Sequence, residues 1–265
     1  MTGVLLSGAV RSIRRGWVVW TVSIAALIAL TTAFWPAFKD SGGMTDAIAG
    51  MSPGLVEALG IGDLNSPEGF LWGNLYALLV PLLMAVAGTS FLTTLTARQE
   101  DSGQYELILT QPVSRTAALL ARILAAVGAV VVLGVAVLLI QLGANAIWDL
   151  DTSVSRLTAT VALCALTGLV SVGATALAAG VSAQPAVATA AGVGVAVAGY
   201  VISALFPLRE GWEDLQYLAP WNWALGGEPL TSDTDVWRYL APLALSVVLA
   251  TTGVICFNRR DVHAP

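Results

Sequence analysis

The sequence predicts an all-α membrane protein with six transmembrane helices, and three observations support this fold class. Of the 265 residues, 57% are hydrophobic and only 11% are charged, whereas a soluble domain carries about 25% charged residues. Five long runs contain no acidic, basic or histidine residue: 16–38, 69–97, 123–148, 157–208 and 239–258. The run 157–208 is too long for one helix and is interrupted near its middle by Gln184-Pro185, so it holds two spans.

The sequence predicts a single transmembrane domain over residues 1–265. The predicted spans are 16–36, 70–95, 117–141, 157–181, 186–206 and 238–257, each close to the length of about 20 residues that crosses a bilayer. Before them, residues 1–15 place apolar side chains at helical spacing, with Arg11, Arg14 and Arg15 between them. This pattern predicts an amphipathic helix that lies in the headgroup layer before the chain turns into the first span. Ser114 is a candidate N-cap of the third span.

Basic and aromatic residues indicate the orientation. Most of the basic residues fall on the side that would carry both termini: Arg11, Arg14, Arg15, Arg98, Arg115, Arg122, Arg259 and Arg260. Most tryptophans fall at the other ends of the spans: Trp35, Trp72, Trp148, Trp212, Trp221, Trp223 and Trp237. The excess of arginine predicts cytoplasmic termini, and the tryptophans form an interfacial belt. The acidity behind the sequence pI of about 4.7 lies on the outer side and says nothing about nucleic-acid binding. We expect no nucleic-acid partner.

Missing residue types exclude several functions. Lys39 is the only lysine and is followed by Asp40, so the chain contains no phosphate-binding loop of the G-x-x-x-x-G-K-[ST] type. With one histidine and two cysteines in different spans, we expect no metal site. We also expect the six spans to contain no ionisable side chain, whereas a proton-driven transporter normally has such groups there. The energy for any uphill transport would therefore come from a partner.

Four polar residues in the spans are candidates for lining a cargo path. Asn74 and Tyr76 lie in the second predicted span, and Tyr200 and Ser203 lie in the fifth. A hydrogen bond between helices is an equally good explanation of Asn74 and Tyr76.

The longest predicted cytoplasmic connection contains a short helix over 98–112. Asp101 is a candidate cap and Gln104 follows three residues later, as in a capping box, while Pro112 ends the helix. Acidic and apolar side chains, including Glu106 and Leu107, alternate within it. We interpret this segment as a docking surface for a cytoplasmic partner, and a solvated surface helix is the alternative.

The stretch Arg98-Gln-Glu-Asp-Ser-Gly-Gln-Tyr-Glu-Leu-Ile-Leu-Thr-Gln-Pro-Val-Ser-Arg115 resembles the ABC-2 type permease family. Members carry an acidic pair, a glycine, Glu-Leu-Leu-Leu, a small polar residue and Pro-Val-Ser-Arg. "MSPGLVEALG", "SPEGFL", "LAPWNWALGGEPL" and "FNRRDV" are similar to the outer loops and closing tail of these permeases, so the resemblance spans nearly the whole chain. This chain departs from the pattern at Gln99-Glu100-Asp101, where consecutive glutamates are common, and at Gln104-Tyr105.

The resemblance implies the type V exporter fold, with an N-terminal connecting helix, six spans and a cytoplasmic coupling helix. The residues that match or flank the coupling motif are Glu100, Asp101, Gly103, Gln104, Glu106, Leu107, Pro112, Ser114 and Arg115, and the connecting helix would hold Arg11, Arg14 and Arg15. The chain would need no cofactor of its own, because ATP and Mg²⁺ would bind to a cytoplasmic ATPase subunit.

The expected function is that of a non-enzymatic permease subunit in the bacterial cytoplasmic membrane. It would contact membrane lipid and pair with a second copy or a homologous permease, with spans two and five lining the path. The cargo would be a hydrophobic or amphipathic compound such as an antibiotic, drug or lipid. Two alternatives remain: a membrane scaffold without a transport cycle, and a permease for cargo used in metal-enzyme maturation.

Overall fold

The computed structural model describes residues 2–40, 66–101 and 114–260, and every regular element in these ranges is helical. The α-helices are α1 (Thr2–Ala33), α2 (Trp35–Asp40), α3 (Pro67–Leu71), α4 (Leu79–Leu95), α5 (Ala97–Asp101), α6 (Arg115–Ile147), α7 (Val154–Val181), α8 (Pro185–Leu205), α9 (Pro220–Leu225) and α10 (Trp237–Arg259). A π-helical segment, Trp72–Tyr76, lies between α3 and α4, and two 3-10 segments, Phe206–Leu208 and Glu213–Leu218, precede α9. The predicted all-α fold class is confirmed.

Within the described ranges, six helical stretches are long and apolar enough to cross a membrane: Leu6–Lys39, Pro67–Glu100, Arg115–Ile147, Val154–Val181, Pro185–Leu208 and Trp237–Arg259. Each contains one of the six predicted spans, and the longest apolar run is divided between two helices as predicted. Pro185 occupies the first turn of α8 and Gln184 is its extended N-cap residue, because proline fits the start of a helix but not its interior. The predicted cap at Ser114 is also confirmed, since its hydroxyl accepts a hydrogen bond from the Ala117 N–H at 3.2 Å.

The bundle has two chemically different ends. The arginine end is the end that carries Arg11, Arg14, Arg15, Arg98, Arg115, Arg122, Arg259 and Arg260, and there a guanidinium nitrogen of Arg115 donates to the carbonyl oxygen of Arg260 at 3.1 Å. The tryptophan end is the opposite one and carries Trp35, Trp72, Trp148, Trp221, Trp223 and Trp237. There the rings of Trp35 and Phe70 lie 5.2 Å apart, which joins α2 to α3.

Helix α7 lies at the centre of the bundle and packs against α10 through small residues. A Cβ added at Gly173 would lie 2.8 Å from the carbonyl oxygen of Ser246, and one added at Gly180 would overlap the backbone of Gly253. Both contacts are seven residues apart on each helix, so they fall on one face of α7 and one face of α10. Close backbone approach at small residues is the usual way in which membrane helices associate without a hydrophobic driving force between them.

The N-terminal helix differs from the prediction. The expected surface helix over 1–15 and the first span form one continuous helix, α1, with no turn between them. At 32 residues and 1.5 Å per residue it is about 48 Å long, which exceeds the hydrocarbon thickness of about 30 Å. The indole N–H of Trp17 donates to the Ala129 carbonyl of α6 at 3.2 Å, and Ile13 is buried one turn earlier. This packing holds the first turns of α1 along α6.

The second span is interrupted, which the sequence pattern did not predict. The Ala77 N–H donates to the Trp72 carbonyl at 2.8 Å, the spacing of a π-helix, and regular α-helix resumes only at Leu79. Pro81 explains the interruption, because proline has no N–H and its ring would clash with the carbonyl of Ala77 in a continuous helix.

Candidate functional site

The predicted coupling segment meets the bundle at the arginine end. Gly103, Gln104, Glu106, Leu107 and Pro112 lie outside the described residues. Asp101, predicted as a helix start, lies in α5 (Ala97–Asp101), at the border of the described residues. Glu100 and Asp101 on one side and Ser114 and Arg115 on the other therefore mark the two points at which segment 102–113 joins the helices.

Glu100 is fixed to the other end of the chain by an ion pair. One terminal guanidinium nitrogen of Arg260 lies 2.6 Å from each carboxylate oxygen of Glu100, and the two side chains are only 17% and 10% exposed, respectively. The Arg260 guanidinium also lies 5.5 Å from the centre of the Phe257 ring. Arg260 is the residue that follows α10. It is joined to α5 through Glu100 and to the start of α6 through Arg115, which donates to its carbonyl oxygen.

A second pair of side chains, Thr116 and Asn258, joins α6 to α10. The side chains of Thr116 and Asn258 exchange two hydrogen-bonding contacts, of 3.1 Å to the Asn258 amide oxygen and 2.9 Å from the amide nitrogen. Asn258 is exposed and Thr116 is half-buried, so this pair competes with water and contributes less than a buried pair would.

Arg122 is the buried member of this group and it corrects one expectation. It lies inside the predicted span 117–141, where we expected no ionisable side chain, and it is 5% exposed. Its Nε donates to the Leu95 carbonyl at 2.6 Å, and its two terminal nitrogens donate to the Ala118 carbonyl and the Gln99 amide oxygen at 2.8 and 3.2 Å.

The position of Arg122 follows from the end of α4. Helix α4 ends at Leu95, because Thr96 adopts a non-helical conformation (φ −118°, ψ −92°). The last carbonyls of a helix have no partner within it and carry a partial negative charge, which favours a cation. The guanidinium of Arg122 occupies that position from the neighbouring helix.

These residues form one arrangement, which we call the anchor cluster: Gln99, Glu100, Arg115, Thr116, Arg122, Asn258 and Arg260. It connects both ends of segment 102–113 to α4, α6 and α10. Sequence reasoning identified Glu100 and Arg115 through the coupling motif. It missed Arg260, which contacts both of them, and Arg122, which joins α6 to Leu95 and Gln99.

Comparison with known protein families identifies the family of this chain. Residues 6–258 match the family described as "Multidrug efflux system permease Rv1217c, C-terminal domain". The chain belongs to this family. It is therefore a transporter permease, and the match includes the described part of the anchor cluster up to Asn258. Comparison with curated proteins gives no match.

The arginines predicted for the connecting helix lie on the first turns of the permease's α1. Arg11, Arg14 and Arg15 are exposed and have no hydrogen bond or ion pair with another described residue. Arg14 differs from its neighbours in lining an apolar groove between α1 and α6.

The four cargo-path candidates of the permease have different surroundings. Asn74 is exposed and donates to the Phe70 carbonyl at 2.8 Å, whereas Tyr76 is fully buried and its hydroxyl donates to Gln141 at 3.2 Å. Tyr200 is half-buried with its ring 5.5 Å from that of Trp221, and the hydroxyl of Ser203 accepts a hydrogen bond from Asn222 at 3.5 Å. The structure thus places Tyr200 and Ser203 together against α9. A role of these residues in a cargo path stays a prediction.

Tyr76 belongs to a buried polar network at the tryptophan end. The Gln141 amide nitrogen donates to the Asn145 side chain at 2.8 Å and to the Thr32 hydroxyl at 3.4 Å, and Asn145 donates to Thr152 at 2.6 Å. Gln141 and Asn145 are four residues apart in a long apolar run, which places them on one face of α6. That spacing is the sequence signal for the network, which joins α1, the π-helical segment and α6.

Proposed function

We propose that this permease is the transmembrane subunit of an ATP-driven exporter of the ABC-2 type. A separate cytoplasmic ATPase subunit binds ATP and Mg²⁺ and docks on the segment 98–112. This chain binds no nucleotide and catalyses no reaction. The resemblance of residues 98–115 to the coupling motif supports this assignment, as does the lack of a phosphate-binding loop in the sequence.

The anchor cluster is the observation that carries the proposal. An ATPase that pushes on segment 102–113 acts on two attachment points, one in α5 and one at the start of α6. Arg122 connects α6 to the end of α4, and the Glu100–Arg260 pair connects α5 to the end of α10. A displacement of the segment therefore moves three spanning helices together, as rigid-body switching requires.

The complete transporter contains two permease domains, either two copies of this chain or this chain and a homologue. Spans two and five of each line the path, and closure of the ATPase subunits converts it from inward-facing to outward-facing. The cargo is a hydrophobic or amphipathic compound such as a drug, antibiotic or lipid. The described surface of α8, the fifth span, supports an apolar cargo, because its exposed large side chains include Val197 and Val201.

The protein resides in the bacterial cytoplasmic membrane with the arginine end in the cytoplasm. The clustering of eight arginines at that end supports this orientation, because arginine and lysine near span ends favour the cytoplasmic side.

The first experiment tests for the ATPase. The tagged chain is purified from its native membranes in mild detergent, and bound proteins are identified by mass spectrometry. We expect a stoichiometric partner that carries a phosphate-binding loop. The proposal is wrong if the chain purifies without such a partner and, alone in vesicles, accumulates a solute against its gradient. A stable assembly with no transport activity would instead favour a scaffold.

The second experiment tests the anchor cluster in the reconstituted complex. Glu100→Gln and Arg260→Gln should each lower transport per ATP hydrolysed, and the charge exchange Glu100→Arg with Arg260→Glu should restore part of it. Arg259→Gln is the matched control, because Arg259 is exposed and makes no hydrogen bond with a described residue. Equal coupling in all four variants would contradict the role of the cluster.

A further inference from the structure

An open apolar groove runs between residues 6–17 of α1 and residues 124–132 of α6. Its volume is about 350 Å³, and it lies at the arginine end. Ile13 and Ala125 form its floor and are 4% and 3% exposed, whereas Val10, Leu124 and Val132 form its walls and are about half exposed. The groove thus has a packed base and apolar sides that face outward.

The groove carries one charged side chain. Arg14 lines it, and no described residue pairs with this guanidinium. The only other strong polar donor in the lining, the Trp17 indole N–H, is already bonded to the Ala129 carbonyl. A ligand that fills the groove would therefore be apolar along most of its length, with a negative charge near Arg14.

The groove lies at the level where the uncharged parts of α1 and α6 begin. The uncharged runs 16–38 and 123–148 begin one residue after Arg15 and one residue after Arg122. Arg14 therefore lies at the level where a bilayer changes from headgroups to hydrocarbon, while Trp17 and Val132 lie deeper. Arginine near a span end places its charge among the headgroups and its stem in the apolar layer.

We propose that this groove is a binding site for one anionic phospholipid of the leaflet at the arginine end. An acyl chain lies between α1 and α6, and the phosphate pairs with Arg14. The groove volume of about 350 Å³ is many times the volume that one water-sized group needs, so the groove has room for part of an acyl chain. The site does not depend on ATP-driven transport.

The test uses photoreactive lipids in vesicles that contain the purified chain. One probe is a phosphatidylglycerol and the other a phosphatidylcholine, each with a diazirine in one acyl chain, and labelled peptides are mapped by mass spectrometry. We expect labelling at residues 6–17 and 124–132, with phosphatidylglycerol favoured about fivefold, as one arginine near a charged surface provides. Arg14→Gln should remove that preference, whereas Arg15→Gln, which does not alter the groove, should retain it.

A second variant fills the groove without changing charge. Gly128 lines the groove and has open space around a Cβ, so a leucine introduced by Gly128→Leu should fit and fill part of the site. Gly143→Leu is the control, because Gly143 lies on the same helix, also in open space, but outside the groove. Labelling at 6–17 and 124–132 should fall severalfold in the first variant and persist in the second.

Two results would overturn the proposal. Equal labelling by both lipids would show that no anionic headgroup is recognised. Displacement of the label by a second copy of the chain or by a hydrophobic drug at low concentration, with no effect of Arg14→Gln, would assign the groove to that occupant instead.

Discussion

Replacing the buried arginine of the anchor cluster gives the sharpest test of how the arginine end is held together. Arg122→Met keeps an apolar stem of similar length but removes the hydrogen bonds to Leu95, Gln99 and Ala118. The Leu95 carbonyl at the end of α4 then loses the donor that satisfies it, in a buried position where water does not replace it easily.

The expected loss in the free energy of unfolding comes from the two hydrogen bonds by which Arg122 joins different helices, those to Leu95 and Gln99. A hydrogen bond to a charged group contributes about 1.5–3 kcal/mol in soluble proteins. Hydrogen bonds between membrane helices contribute less, about 0.6 kcal/mol on average and about 1.7 kcal/mol at most. Two such bonds, one of them 2.6 Å long, therefore predict a loss of about 1–3 kcal/mol in the free energy of unfolding.

The assay is unfolding in mixed micelles of mild detergent and dodecyl sulfate, followed by circular dichroism. Arg98→Met is the matched control, because Arg98 lies on α5 next to Gln99 but is exposed and has no hydrogen bond with a described residue. It should change stability by less than about 0.5 kcal/mol. Arg122→Lys should be intermediate, since one ammonium cannot reach all three acceptors.

Equal stability of Arg122→Met and Arg98→Met would refute this reasoning. It would mean that the Leu95 carbonyl finds another partner, and that α4 and α6 are held by apolar packing alone. The cluster would then be a poor candidate for transmitting motion from segment 102–113.

Three further predictions concern other parts of the permease. Gly180→Val should destabilise the bundle by about 1–3 kcal/mol or prevent folding, because its Cβ overlaps the backbone of Gly253, whereas Val at Gly194, which has open space, should fold normally in the same assay. Tyr76→Phe should cost about 0.6 kcal/mol of unfolding free energy by breaking its bond to Gln141, and no measurable change would show that the network rearranges without loss. Charge reversal at Glu106 should weaken co-purification of the ATPase subunit, and unchanged association would remove segment 98–112 as its docking surface.

Most of the fold could be predicted because membrane helices are defined by local composition. The fourth span was predicted as 157–181 and is Val154–Val181, and the sixth was predicted as 238–257 and is Trp237–Arg259. Charged residues mark the ends of each uncharged run in the sequence. They also mark the ends of the spanning helices, because a charged side chain is costly to place in the hydrocarbon layer. Ser114 was predictable for a similar reason, since a cap depends only on residues within one turn.

The anchor cluster was less predictable because its partners are distant in sequence. Arg122 was assigned to the cytoplasmic side from its charge alone, yet it is buried because α4 ends at Leu95, on another helix. The continuity of α1 depends likewise on its packing along α6, which hydrophobic periodicity does not report. In both cases the local pattern gives the element, and a tertiary contact determines its end or its direction.

The interruption of span two leads to a final prediction about movement. Pro81→Ala restores an N–H that can donate to the Ala77 carbonyl, so regular α-helix should extend back from Leu79 and compete with the π-helical bond between Ala77 and Trp72. Amide hydrogen exchange in peptides covering 72–82 should become slower, by about fivefold for each net hydrogen bond of about 1 kcal/mol.

The position of the interruption gives this change a functional consequence. The π-helical segment ends at Tyr76, whose hydroxyl joins Gln141 of α6, so straightening span two moves one member of the buried network. Transport by the reconstituted complex should slow while the unfolding free energy stays equal or rises. Pro242→Ala, at the buried proline of α10, is the control and should leave exchange at 72–82 unchanged. If exchange in that segment is the same in all three proteins, the interruption is maintained by the network and not by the proline, and the hinge lies in the contacts of Tyr76.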